Sequence, residues 1–127
     1  MQDEVLEKAD KGIQRLLTVI AETDAFDDPV SLANIMVRLA YFNHTIGRHL
    51  AALQGAYRQK RAEVYNDYMN TAEKKIVTHA KQKAEEAGQE LETKYDHYTN
   101  IHNDTDKFIT VCQTHLRILG MEAKSQL

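Results

Sequence analysis

The chain has 127 residues, 43% of them hydrophobic and 28% charged, with a formal net charge of −3; these are values of one globular domain and exclude wholesale disorder. One proline and five glycines point to long uninterrupted helices, and the single Cys112 excludes an intramolecular disulfide. The start at Gln2, Asp3 and Glu4 lacks the basic and apolar regions of a signal peptide, and no apolar run reaches transmembrane length, so a soluble, cytoplasmic protein without membrane contact is expected.

A first helix is predicted over about 2–22, with Asp3 and Glu4 suited to its first turn and Leu6, Ala9, Ile13, Leu16, Leu17 and Ile20 on one side. The acidic stretch 23–28 ends it. Asp28 before Pro29 then reads as a helix start, a capping carboxylate followed by proline at the first helical position. A second helix is predicted over 29–69, because Met36, Leu39, Asn43, Ile46, Leu50, Leu53, Tyr57, Lys60 and Val64 step by alternating threes and fours, the pattern of a heptad seam. Asn43 stands inside that seam, where a buried amide fixes register or oligomer state, and Lys60 marks where the seam turns polar. Gly47 and Gly55 each weaken a helix by about 1 kcal/mol relative to alanine; they either permit close backbone approach or are simply tolerated.

Asn70 with Glu73 three residues later has capping-box spacing, which predicts a turn at Met69 and a third helix over 71–119. Its seam is Val77, Ala80, Ala84, Ala87, Leu91, Lys94, Tyr98, Ile101, Thr105, Phe108, Cys112, His115 and Leu119, alanine-rich at first and bulkier later. The segment 100–106 holds Asn103, Asp104 and Asp106, poor helix formers that make good caps, and is where a kink or a second start would interrupt an otherwise continuous helix. The expected fold is therefore all-α: one domain, 1–127, made of a short N-terminal helix and a long antiparallel helical hairpin with coiled-coil-like seams. A helix of about 40 residues is about 60 Å long. Two such helices offer more apolar stripe than a short first helix covers, so assembly into a homo-oligomer is expected. Its core or oligomer contacts are Met36, Leu39, Asn43, Ile46, Leu50, Leu53, Leu91, Tyr98, Phe108 and Cys112.

Catalytic chemistry finds little support. Of the six histidines, His44 and His49, like His97 and His102, are five apart and diverge on a helix, so neither a metal nor any cofactor is expected. Cys112 lies on the seam with His115 one turn on, a packed pair and not a reactive thiol. Glu85, Glu86, Glu90 and Glu92 are interleaved with Lys81, Lys83 and Lys94 as on a solvated face, and no glycine-rich phosphate loop or dinucleotide fingerprint is present. An enzyme is not expected.

Charge distribution is the stronger clue. Residues 1–28 hold eight acids against three bases, residues 62–127 hold eleven against eight, and residues 31–61 hold Arg38, Arg48, Arg58, Lys60 and Arg61 without one acid. A basic stretch kept free of acids in an acidic protein fits a polyanion, nucleic acid being the commonest; a solvated face, or one paired with the acidic N-terminal segment, is the alternative. Arg38, Arg48, Arg58 and Arg61 fall outside the heptad seam, and Tyr41, Phe42, Tyr65 and Tyr68 are interleaved with them. Rings among guanidinium groups suit single strands, at roughly 1–3 kcal/mol per stacked base. Arg38, Arg48, Arg58, Lys60, Arg61, Tyr41 and Tyr65 are thus the candidate nucleic-acid contacts. The other reading is a helical scaffold or adaptor, such as a phage assembly or host-defence inhibitor protein, binding a partner through its seams.

The run Ala33-Asn34-Ile35-Met36, the segment Tyr57-Arg58-Gln59-Lys60-Arg61 leading to Asn66-Asp67-Tyr68-Met69, the Ala72-Glu73-Lys74 restart, and Lys107-Phe108 through Cys112 to Leu119 resemble, in order, the UvsY-type phage recombination mediators over about residues 30–124. The resemblance implies a ring of six or seven subunits, acting in the cytoplasm of a bacterial host. Such a ring binds single-stranded DNA and helps load a strand-exchange recombinase against a single-strand-binding protein. It also implies DNA contact by basic residues of the long helix before the aromatic end. Here the nearest matches, Arg58, Lys60 and Arg61, sit about one turn earlier, and Glu63 and Tyr65 occupy the turn before Asp67.

Overall fold

A computed structural model of the chain describes residues 2–125. Three α-helices and one short 3-10 turn follow one another: α1 (Gln2–Glu22), the turn Ala25–Asp27, α2 (Pro29–Thr71) and α3 (Val77–Ser125). No strand occurs among the described residues. The long α2 and α3 form the expected helical hairpin, and α3 runs without interruption through 100–106. Its helical bonding overrides the weak propensities of Asn103, Asp104 and Asp106.

The start of α2 is built as the residues dictate. Asp28 caps α2, its carboxylate accepting from the Val30 amide at 3.3 Å and the Ser31 hydroxyl at 2.6 Å, while Leu32 N–H donates to its carbonyl at 2.8 Å. Pro29 takes the first helical position, where its missing N–H costs nothing. The second connection differs from the expected one. Asn70 and Thr71 continue α2, with the Thr71 hydroxyl donating to the Asp67 carbonyl at 2.6 Å, and α3 starts only at Val77. The segment 72–76 has no glycine or proline to mark a turn, and the reversal is held from a distance: the Tyr68 hydroxyl donates to the Lys74 carbonyl at 3.2 Å. Val77, expected in the seam, is 47% exposed as the first residue of its helix.

Contacts gather into two units, Met1–Arg48 with Asn100–Leu127, and His49–Thr99. In the first, the core is Leu6, Ala9, Ile13 and Leu16 of α1, Leu32, Ile35, Leu39 and Ile46 of α2, and Cys112 of α3. Asn43 is buried among them. Its Nδ2 donates to the His102 carbonyl at 3.0 Å and to Asp106 Oδ1 at 2.9 Å. The 3-10 turn is fastened to α3 by Phe26, stacked on the His115 ring at 4.0 Å between centroids, and by Asp27 Oδ1, 3.0 Å from His115 Nε2.

In the second unit α3 presents small residues, Ala80, Ala84 and Gly88, all buried. A Cβ at Gly88 would stand 2.8 Å from the Tyr57 ring and 3.0 Å from Arg61 Cγ, so α2 side chains lie directly on α3 backbone there. Leu53 and Tyr98 complete this core, with Leu50, Tyr57, Val64, Leu91 and Lys94 half-buried. Lys60, where the seam was read as turning polar, is exposed.

Candidate nucleic-acid interface

The candidate basic and aromatic residues divide between the two units. In the first, Arg38, Tyr41 and Arg48 are all exposed on α2, Tyr41 by 68%. At 100° per residue Tyr41 and Arg48 lie about 20° apart around the helix, with Arg38 about 60° from Tyr41, so the three share one face. No acid occurs on α2 before Glu63. The Tyr41 ring stands edge-on to Phe42 at 5.8 Å, and Phe42 packs over Gly12 of α1, where a Cβ would meet its ring at 2.5 Å. One face of the tyrosine is thereby positioned while most of the ring stays in water. Tyr41 thus stands exposed on the face that also carries Arg38 and Arg48.

The second unit treats its cations differently. Arg58 and Lys60 are exposed, but Arg61 turns toward α3: its guanidinium sits 5.4 Å from the Tyr57 ring centre and 3.9 Å from Glu85 Oε1. Tyr57 in turn donates its hydroxyl to Glu92 Oε2 at 3.3 Å. Here a basic turn of α2 faces an acidic stretch of α3. The Arg61 pair is solvent-exposed and contributes well under about 1 kcal/mol, so it orients the side chain more than it stabilises the fold. Tyr65 is half-buried, and Tyr68 lies under Lys83 Nζ at 5.4 Å. Of the seven residues expected to contact nucleic acid, the fold brings Arg38, Tyr41 and Arg48 together on an open face, leaves Arg58 and Lys60 open in the other unit, and engages Arg61 and partly covers Tyr65.

The expected core residues are placed inside. Leu39, Asn43, Ile46, Leu53, Tyr98 and Cys112 are buried, and Met36, Leu50, Leu91 and Phe108 are half-buried, all within a single chain. Phe108 lines a groove of about 270 Å³ with Ile13, Leu17, Ile101 and Thr105, edged by Gln14 and Asp104. Burial raises the Cys112 thiol above its ordinary value, which keeps it protonated and unreactive. Among the described residues no three His, Cys, Asp or Glu side chains gather to hold a metal ion, and no helix is long and apolar enough to cross a membrane.

Sequence reasoning passed over the exposed valines of α2, Val30 and Val37, which precede Tyr41 on its own face. Their spacing from Tyr41, eleven and four residues, was the available signal. No protein-family model, curated protein or solved structure matches the chain.

Proposed function

We propose that this chain is a non-enzymatic single-stranded DNA-binding protein of the recombination-mediator type, which helps load a strand-exchange recombinase onto DNA against a single-strand-binding protein. The observation that supports the binding reading is the acid-free face of α2 that exposes Arg38, Tyr41 and Arg48 together. The two guanidinium groups neutralise phosphates and the tyrosine stacks a base; in the other unit Arg58 and Lys60 offer phosphate contacts of their own. The mediator role, with its recombinase and single-strand-binding partners, rests on the sequence resemblance. Association of several copies would repeat the patch and raise avidity where the geometry allows simultaneous engagement.

The test is fluorescence anisotropy of a labelled oligonucleotide of about 40 nucleotides, several site sizes of a strand-binding groove, beside a duplex of equal length and across salt. Binding at low salt that falls as salt rises, prefers the single strand, and weakens in Tyr41→Ala and in Arg38→Ala with Arg48→Ala, is the expected result. No binding at low salt removes the reading. A second reading, a helical adaptor for a protein partner, is favoured by Val30 and Val37, 71% and 66% exposed, because phosphates make no use of apolar surface.

A further inference from the structure

The outward face of α2 in the first unit carries a second run at heptad spacing. Val30, Asn34, Val37, Tyr41, His44 and Arg48 step by alternating fours and threes, and all six are exposed. Around the helix this run is centred about 160° from Met36, Leu39, Asn43 and Ile46, which point into the core. The helix therefore has two faces at seam spacing, one covered by its own chain and one bare. Small residues, Ala33, Ala40 and Gly47, border the bare face on one side, and Ser31, Arg38 and Thr45 border it on the other. Of these, Ala40 is exposed and leaves room for a second helix, whereas Gly47 is already covered by the His102 ring of its own chain.

The bare run is unchanged by reversal. Set antiparallel against itself, it brings Val37 onto Tyr41 of a second copy, Asn34 onto His44, and Val30 onto Arg48, each contact occurring twice. That reciprocity is what a two-fold contact requires. Charge at the ends of the contact favours this direction: Asp24, Asp27 and Asp28 stand just before Val30, so the acidic end of each α2 meets Arg48 of the other copy. A parallel pair would set Arg48 against Arg48 and the carboxylates against one another. We propose that two copies of this chain pair antiparallel through the outer face of α2, centred on Val37 and Tyr41.

An isologous contact of this kind closes on a pair and does not propagate into a ring. Tyr41 and Arg48 also belong to the face proposed to bind single strands, so the paired and strand-bound states exclude each other on that face. The pairing itself does not depend on the nucleic-acid reading.

Sedimentation velocity of the full chain across protein concentration, without nucleic acid, is the first test. A monomer–dimer equilibrium is expected, shifted to monomer by Val37→Glu with the helical circular dichroism unchanged, since Val37 is exposed and its replacement leaves the core intact. A protein that stays monomeric throughout, or an assembly indifferent to Val37→Glu, overturns the proposal. Direction is read by oxidative cross-linking. Val37→Cys combined with Tyr41→Cys should give a covalent dimer on a non-reducing gel. Val30→Cys alone should not, because the two copies of residue 30 lie at opposite ends of the contact; an efficient Val30→Cys dimer would overturn the antiparallel arrangement. Oligonucleotide binding is measured separately, so its absence bears on the proposed function and leaves this result standing.

Discussion

Asn43 puts one amide inside the helical packing, and its two ends fare differently. Nδ2 has two acceptors, the His102 carbonyl and Asp106 Oδ1, whereas Oδ1 is buried with no hydrogen-bond partner. Replacing the amide by leucine removes a satisfied donor and an unsatisfied acceptor together, so Asn43→Leu should change stability by no more than about 1 kcal/mol. Asn43→Asp sets a carboxylate against Asp106 at hydrogen-bond distance and should cost about 3–5 kcal/mol at neutral pH, an effect relieved as acid protonates one of the two. Urea titration of both variants checks this, and an aspartate variant as stable as the parent would show that Asn43 and Asp106 are not in contact. Cys112 gives a second prediction of known sign. Burial raises its thiol above the ordinary value of 9.0, so the folded chain holds the proton more tightly than the unfolded one. The stability this provides is complete below 9.0 and is lost as pH rises through the folded value. Under native conditions a thiol reagent should leave Cys112 unlabelled, and denaturant should release one thiol per chain.

At the scale of the elements, glycines report how closely helices approach. A Cβ at Gly12 would stand 2.5, 2.6 and 2.8 Å from Phe42 ring atoms, while one at Gly55 would meet nothing within 4 Å. Alanine gains about 1 kcal/mol over glycine in a helix, and forcing a ring from a packed position costs about 1–3 kcal/mol. Gly55→Ala should therefore raise the melting temperature, and Gly12→Ala should lower it or leave it unchanged. Equal gains at both sites would mean that α1 does not rest on Phe42. These contacts also show what the sequence made legible. Asp28-Pro29 carries its own cap and its own φ, and α2 starts there as read. The 3-4 spacing through Leu39, Asn43 and Ile46 picks out residues that are in fact buried. The end of α2 was not legible, because Asn70-Thr71-Ala72-Glu73 suits a cap as well as a last helical turn and the choice is made by Tyr68 reaching Lys74 across the reversal. Arg61 was read as open to a ligand, yet Glu85 and Tyr57 hold it; one helix alone cannot reveal what its neighbour places opposite. The bare face of α2 was legible in principle, as a second 3-4 pattern hidden beside a more apolar one.

For the whole molecule, folding redistributes charge that the linear sequence keeps apart. The acid-free stretch is divided: Arg38 and Arg48 join a unit with eleven acids and eight bases, and Arg58, Lys60 and Arg61 join one with eight of each. A polyanion therefore meets a net charge of −3 or zero in each unit and must be bound by local contacts, because screening at about 0.1 M salt confines such charges to about 10 Å. Binding to single strands should then be weak at physiological salt and strong only below it. Counterion release makes this quantitative. Each phosphate neutralised on a single strand contributes a slope of about −0.7 in log affinity against log salt, so Arg38 and Arg48 supply about −1.4 in one unit and Arg58 and Lys60 about −1.4 in the other, a limit of about −3 for the chain. Replacing Arg38 and Arg48 by glutamine should bring it to about −1.4, whereas the same change at Arg61, already facing Glu85, should move it little. A slope that is unaltered by the Arg38 and Arg48 pair but halved by Arg58 and Lys60 would move the strand off the first unit altogether. It would leave the exposed Val37–Tyr41 face of α2 to protein contacts alone.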